Sequence, residues 1–268
     1  MNGICKKYIF AVTLLGLILA APSLAEEMQQ DWRDLPVQAL VARLDESLGY
    51  VDGVYSGKLT IIDENGRPTI HDFQMHVKQG KRFLEFTSPA RGVTLRVLYL
   101  RQGEEIWVWD ARRRDLLQLR GADQFKSLLN SGFSYRDLAG SSLEANYHPA
   151  NPARELKIEG GEPAINFSIV PMLPSSYGKI SVMQDRQSFR PLRLDVYSRE
   201  RILFKTLEIS YGIPVLHTGL KKDIVPSWPV RLESLDLESG SISRWEIFTF
   251  DDTLEVSDAI FLPDYLNR

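Results

Sequence analysis

The chain has 268 residues, 32 basic against 35 acidic, a formal net charge of −3 and a single cysteine. That balance gives no global attraction to nucleic acid. The one cysteine, Cys5, excludes a disulfide framework and leaves no thiol nucleophile or thiolate metal ligand beyond the first few residues.

Residues 1–25 read as a secretory signal. Lys6 and Lys7 precede an apolar run from Ile9 to Ala21, and Ser23-Leu24-Ala25 offers a small-x-small cleavage site before Glu26. The run is too short for a stable membrane span. No cysteine follows it to accept a lipid, and its style points to a bacterial periplasm. Without Lys6 and Lys7 the bases fall from 32 to 30 against 35 acids, net −5. Residues 26–268 are expected to form one soluble domain, because no Gly-, Ser- or Pro-rich linker and no repeat divides them.

Asp34-Leu35-Pro36 opens a helix, and Val37, Leu40, Val41, Leu44 and Leu48 share one face before Gly49 stops it. From Val54 the period becomes two. Tyr55, Leu59 and Ile61 alternate with polar residues, and Asn65-Gly66 is a hairpin turn. Phe73, Met75 and Val77 mark the next strand. After the turn at Gln79-Gly80-Lys81 a strand returns over 82–86, and Val93, Leu95, Val97 and Tyr99 mark another. Two short strands follow, 106–110 and 115–119, joined by a charged turn.

The strand at 106–110 is unusual, because Ile106 and Val108 point one way and Trp107 and Trp109 the other. A sheet with one wet face alternates polar and apolar residues, so this strand has no side for water. Either both faces are covered or one lines an apolar cavity. We place the tryptophans on the inward side.

Residues 121–140 read as a helical insertion, with Phe125, Leu128 and Leu129 on one face and Ser134 capping a second short helix. Strands resume near 143–147, 155–159, 165–170 and 179–183. Hairpins follow at 192–197 with 202–209 and at 230–237 with 242–250. Residues 214–229 read as a long loop, and Ser257 caps a last short helix. About a dozen strands exceed the usual sheet of roughly 4–6 and must curl. The fold class is α+β, mostly β.

Neither enzyme chemistry, a metal nor a cofactor is expected. No nucleophile elbow, phosphate-binding glycine loop or His-Glu-x-x-His is present, and the carboxylates are scattered. The better signal is apolar. Phe73, Met75, Val77, Leu84, Phe86, Leu95, Val97, Tyr99, Trp107 and Trp109 form a broad candidate surface for a lipid-sized ligand. Arg112, Arg113 and Arg114 are the densest basic run. They read first as a solvated turn, and second as a rim for anionic headgroups or a partner, with Lys81 and Arg82 beside Lys78, Arg91 and Arg96.

The order of these features resembles the LolA-like periplasmic lipoprotein carriers, above all the outer-membrane lipoprotein-sorting branch. The resemblance runs through Met75-His76-Val77-Lys78, Phe83 to Pro89, Glu105 to Asp110 with the basic turn after it, Gly132 to Leu138, and Asp258 to Pro263. It implies a strongly curved antiparallel half-barrel whose open, concave side is covered by helices and holds acyl chains. It also implies partners: lipoprotein or lipid acyl chains, an inner-membrane exporter and an outer-membrane acceptor, with the carrier a monomer and not an enzyme. An adaptor that binds a membrane transporter or regulator is the second expectation, and an envelope lipid hydrolase a remote third. One departure stands out. The family's lid-holding arginine would fall at Gln79, leaving Lys81 or Arg82 to substitute.

Overall fold

A computed structural model describes residues 31–268 except 91, 140–142, 158–162, 174, 215 and 219–227. The expected signal at 1–25, Arg91 and much of the expected loop at 214–229 lie outside the described residues.

The first meander forms as its alternation predicts. Helix α1 (Val37–Leu48) precedes strands β1 (Gly53–Ile62), β2 (Pro68–Lys78), β3 (Lys81–Ser88), β4 (Gly92–Leu100), β5 (Glu105–Asp110) and β6 (Asp115–Leu119). α1 buries Leu40, Val41 and Leu44. Asp34 does not open it: Asp34 belongs to a 3-10 turn, Trp32–Asp34, and Pro36 stands at the N-cap without a side-chain bond.

The second half comprises α2 (Leu143–Asn146), β7 (Tyr147–Pro149), β8 (Arg154–Leu156), β9 (Ala164–Pro171), β10 (Lys179–Asp185), β11 (Pro191–Tyr197), β12 (Leu203–Tyr211), β13 (Leu216–Thr218), β14 (Pro229–Asp236) and β15 (Ile242–Asp251). Of the strand expected at 143–147 only Tyr147 is strand, at the start of β7; Leu143–Asn146 form the turn of α2, because the Asp45 carboxylate of α1 accepts from the amides of Leu143 and Glu144, both at 2.9 Å. The short β13, inside the expected loop, pairs in parallel with β15.

All strands join one sheet in the order β6-β5-β4-β3-β2-β1-β15-β14-β12-β11-β10-β9-β7, with β8 and β13 attached to its side. Every pairing except that of β13 is antiparallel. The sheet does not close, and β6 and β7 are its opposite ends. The chain passes from β6 to β7 through residues 120–146, so this connection has to cross from one end of the sheet to the other. Near the middle, Gly57 gives up its side chain to the ring of Phe73, which stacks on Trp245 at 3.6 Å. A Cβ at Gly57 would also strike the Glu246 carbonyl.

The crossing segment is not the pair of helices that its apolar spacing suggests. It begins as a 3-10 turn, Gly121–Phe125, and then doubles back through a bridge between Ser127 and Ser134. Leu129 and Asn130 both take left-handed backbone, at φ 53° and 62°, which ends any helix at once. Leu128 and Phe133 are nevertheless fully buried, so the spacing recorded burial rather than helix. Ser134 does cap a turn: its Oγ accepts from the Asp137 amide at 3.1 Å, and Asp137 Oδ2 accepts from the Ser134 amide at 2.7 Å.

Two apolar layers flank the sheet. The large one, on the concave face, takes α1, residues 128–139 and inward side chains from nearly every long strand. The small one gathers Phe83 and Leu98 with Trp107 and Trp109 under the C-terminal 3-10 turns Asp258–Phe261 and Pro263–Tyr265.

Candidate functional site

A cavity of about 90 Å³ lies within the concave layer. Met75 and Leu84 line it from the first meander, Ile180, Val196 and Leu207 from the second, with Trp245 at the junction. At this size it falls below the ~150 Å³ of an apolar cavity that admits one benzene. Residues 128–139 of the crossing segment pack over it as a cover.

Polar bonds hold the cover to the sheet at Gly132, Asp137 and Leu138, and Arg136 Nη1 donates to the Gly103 carbonyl between β4 and β5 at 2.7 Å. At Gly132, the amide donates to Ser243 Oγ at 2.9 Å and the carbonyl accepts from Ser234 Oγ at 3.1 Å. At Asp137, Lys205 Nζ approaches Oδ2 at 2.6 Å and the Tyr177 hydroxyl donates to Oδ1 at 2.9 Å. Lys205 also donates to the Tyr177 oxygen at 2.6 Å. Both charges are buried, their side chains 5% and 8% exposed. Burial and the neighbouring Asp137 charge push the Tyr177 phenol well above its ordinary value, so it stays a donor. At Leu138, the carbonyl accepts from Arg82 Nη1 at 3.3 Å.

Arg82 is the residue most displaced from expectation. It is not on an outer rim. It shares the inward face of β3 with Leu84 and Phe86, is 6% exposed, and lines the cavity with its guanidinium carbon 4.9 Å from the Tyr50 ring. Burial draws its guanidinium below the ordinary arginine value, opposed by the surrounding tyrosines, and pushes the Tyr50 phenol up to about 12. Period two alone carries this signal, since Arg82, Leu84 and Phe86 have one parity. Lys205 is legible in the same way, through its parity with Leu207 and Ile209. Asp137 and Tyr177 are not, because both lie outside regular strands.

The other candidates divide by face. Met75 and Leu84 line the cavity; Phe73, Val77, Phe86, Leu95, Val97 and Tyr99 are buried in the concave layer around it. Trp107 and Trp109 are not inward. Ile106 and Val108 occupy the concave core, and the tryptophans face the opposite side. The reason is what covers them. The C-terminal turns lie on that side, Arg96 sits 5.0 Å from the Trp109 ring and donates to the Leu266 carbonyl at 2.9 Å, and Trp107 Nε1 donates to Glu105 at 2.7 Å. Both faces of β5 are covered, which answers its missing wet side. Lys81 points to that side too and bonds Asp258 at 3.4 Å. Arg112, Arg113 and Arg114 are exposed at the β5–β6 turn, where the amides of Arg112 and Arg113 donate to Asp110.

Among the described residues no group of metal-ligating side chains gathers, and no helix is long and apolar enough to cross a membrane.

An open, curved antiparallel half-barrel with a covered concave face is the LolA-like class of fold. Comparison with solved structures agrees. A LolA superfamily protein from Nitrosomonas europaea superposes with a TM-score of 0.66 at 21% identity, over 87% of this chain and 100% of that one. A DUF1329 family protein from Desulfovibrio piger gives 0.67 at 17% identity, over 85% and 97%. A domain assigned to the outer membrane lipoprotein-sorting proteins, from Vibrio parahaemolyticus, gives 0.67 at 15%, also over 85% and 97%. No curated protein matches the chain. A family model described as "Uncharacterized protein" matches residues 78–268, and the chain belongs to that family, one of LolA-like fold.

Proposed function

We propose that this protein is a periplasmic carrier that shields the acyl chains of lipids or lipid-modified proteins on their way towards the outer membrane. The observation that carries the reading is the concave face: apolar residues from both meanders surround a cavity, and the cover over them is held by polar bonds rather than by continuous strand pairing. Phe73, Met75, Val77, Leu84, Phe86, Leu95, Val97 and Tyr99 would face the acyl chains once the cover lifts.

The energies are of the right relative size. Each buried methylene contributes about 0.8 kcal/mol, so roughly ten of them contribute about 8 kcal/mol. Each anchoring bond contributes about 0.5–1.5 kcal/mol when neutral and about 1.5–3 kcal/mol when charged. Cargo binding and cover closure are thus comparable, which is what uptake and release both require. The likeness of fold to LolA superfamily and lipoprotein-sorting proteins supports the same reading.

The test is direct. Lipid extraction and mass spectrometry of protein purified from the periplasm should recover acylated molecules, and delipidated protein should take up a fluorescent fatty acid. Neither bound lipid nor uptake would sink the reading.

A further inference from the structure

The cavity has apolar walls and one polar end, and at that end donors outnumber acceptors. Arg82 carries five N–H donors and commits one, weakly, to the Leu138 carbonyl at 3.3 Å. No ion pair among the described residues includes it. Trp245, 1% exposed and lining the same space, turns Nε1 towards the Tyr50 hydroxyl without closing a full hydrogen bond. Among the described residues the one carboxylate on the cavity wall, Asp137, is already taken by Lys205, Tyr177 and the Ser134 amide.

A buried cation without a counter-charge is costly, and a core residue such as Met would fill the same volume without that cost. Retaining it makes physical sense where a ligand supplies the missing charge. The guanidinium fork suits a planar carboxylate or a phosphate, which accept two parallel N–H bonds. The indole N–H can donate to the same acid.

We propose that the cavity selects amphiphiles with an acidic headgroup, carboxylate or phosphate, and seats that group on Arg82 with the acyl tail along the apolar walls. This rests on the carrier reading and names its cargo class. It also couples binding to opening. The acid competes with the Leu138 carbonyl for the guanidinium, so cargo releases one anchor of the cover as it enters.

The experiment compares palmitate, monohexadecyl phosphate and hexadecanol, which share one tail, by titration calorimetry on delipidated protein. At least one acid should bind at least about tenfold tighter than the alcohol, and which acid does so identifies the headgroup. Arg82→Gln should erase that preference while leaving hexadecanol binding in place. Trp245→Phe, which keeps a ring and removes the donor, should reduce the preference by a smaller factor; it serves as the second variant if Arg82→Gln does not fold. Equal affinity of all three for the wild-type protein would overturn the headgroup inference and leave the carrier reading standing. Binding of none of them would overturn both.

Discussion

The two faces of the sheet solve the same problem differently. On the convex side, Trp107 and Trp109 lie under the C-terminal turns, and none of the polar atoms in that cluster is left buried without a partner. On the concave side, Trp32, Tyr99 and Trp228 each bury a polar atom with no partner, and Tyr211 does so beside them. Unsatisfied buried groups cost free energy, and folded proteins hold few of them. A face that is fully satisfied is finished by folding. The face that leaves polar groups orphaned is also the face that holds the cavity, with the sparsely bonded Arg82 on its wall.

If function belongs to the concave face, locking its cover should have the largest effect. A Cβ built at Gly132 would lie 3.2 Å from the Ser234 Cβ, close to the ~3.5–4.5 Å that a disulfide spans. The double variant Gly132→Cys with Ser234→Cys should abolish uptake of a fluorescent fatty acid when oxidised and recover it when reduced. Uptake that ignores the redox state would mean the cover does not move for cargo.

The next effect is on stability. Lys205→Met leaves the Asp137 carboxylate buried without its cation, and breaking such a pair costs about 3–5 kcal/mol. Urea unfolding should show that loss. Adding Asp137→Asn should return part of it, because the stranded charge is then gone. A loss well under 1 kcal/mol for Lys205→Met would mean that the anchor is solvated and not part of the closed state.

How far the sequence carries this picture depends on the kind of contact. Period two predicts β1 to β6 and most later strands, because an antiparallel meander is written locally. It also writes Arg82 and Lys205 onto inward faces, although basic residues beside a turn look like a rim. What it cannot give is the sign of β5. With both faces apolar, Ile106 and Trp107 compete on equal terms, and the decision comes from the C-terminal turns well over a hundred residues away. The plug at 120–139 is illegible for a related reason. Its apolar residues fall at helical spacing, yet the bonds that shape it run to Ser234, Ser243 and Lys205 on distant strands.

A third comparison uses β5 itself. Ile106→Ala removes a fully buried concave side chain and should cost about 2–5 kcal/mol. Trp107→Ala removes a half-buried ring from the convex side and should cost less than the ~3–5 kcal/mol of a fully buried one. Thermal unfolding gives the two costs. In fatty-acid titration, Trp107→Ala should leave affinity unchanged, whereas Leu84→Ala at the cavity wall should lower it. The reverse ranking would assign cargo to the convex face.

The smallest effect is expected where the convex cover meets the sheet through an exposed charge. Lys78 donates to Asp258 at 2.9 Å and Lys81 at 3.4 Å, and these hydrogen bonds, Lys78 first, hold the Asp258 carboxyl below its ordinary 3.8. A lowered acid helps the folded state above its ordinary pKa and loses that help as pH falls through the lowered value. Asp258→Ala should therefore speed amide exchange in residues 258–265 at neutral pH, and the difference from the wild type should vanish in acid. Solvent exposure keeps the shift in unfolding midpoint slight. Its value lies in what should not change: fatty-acid affinity belongs to the other face and should be the same in both proteins at neutral pH. A drop in affinity on Asp258→Ala would show that the C-terminal turns, through β3, bias the cavity they back, and the division between a finished face and the face that holds the cavity would fail.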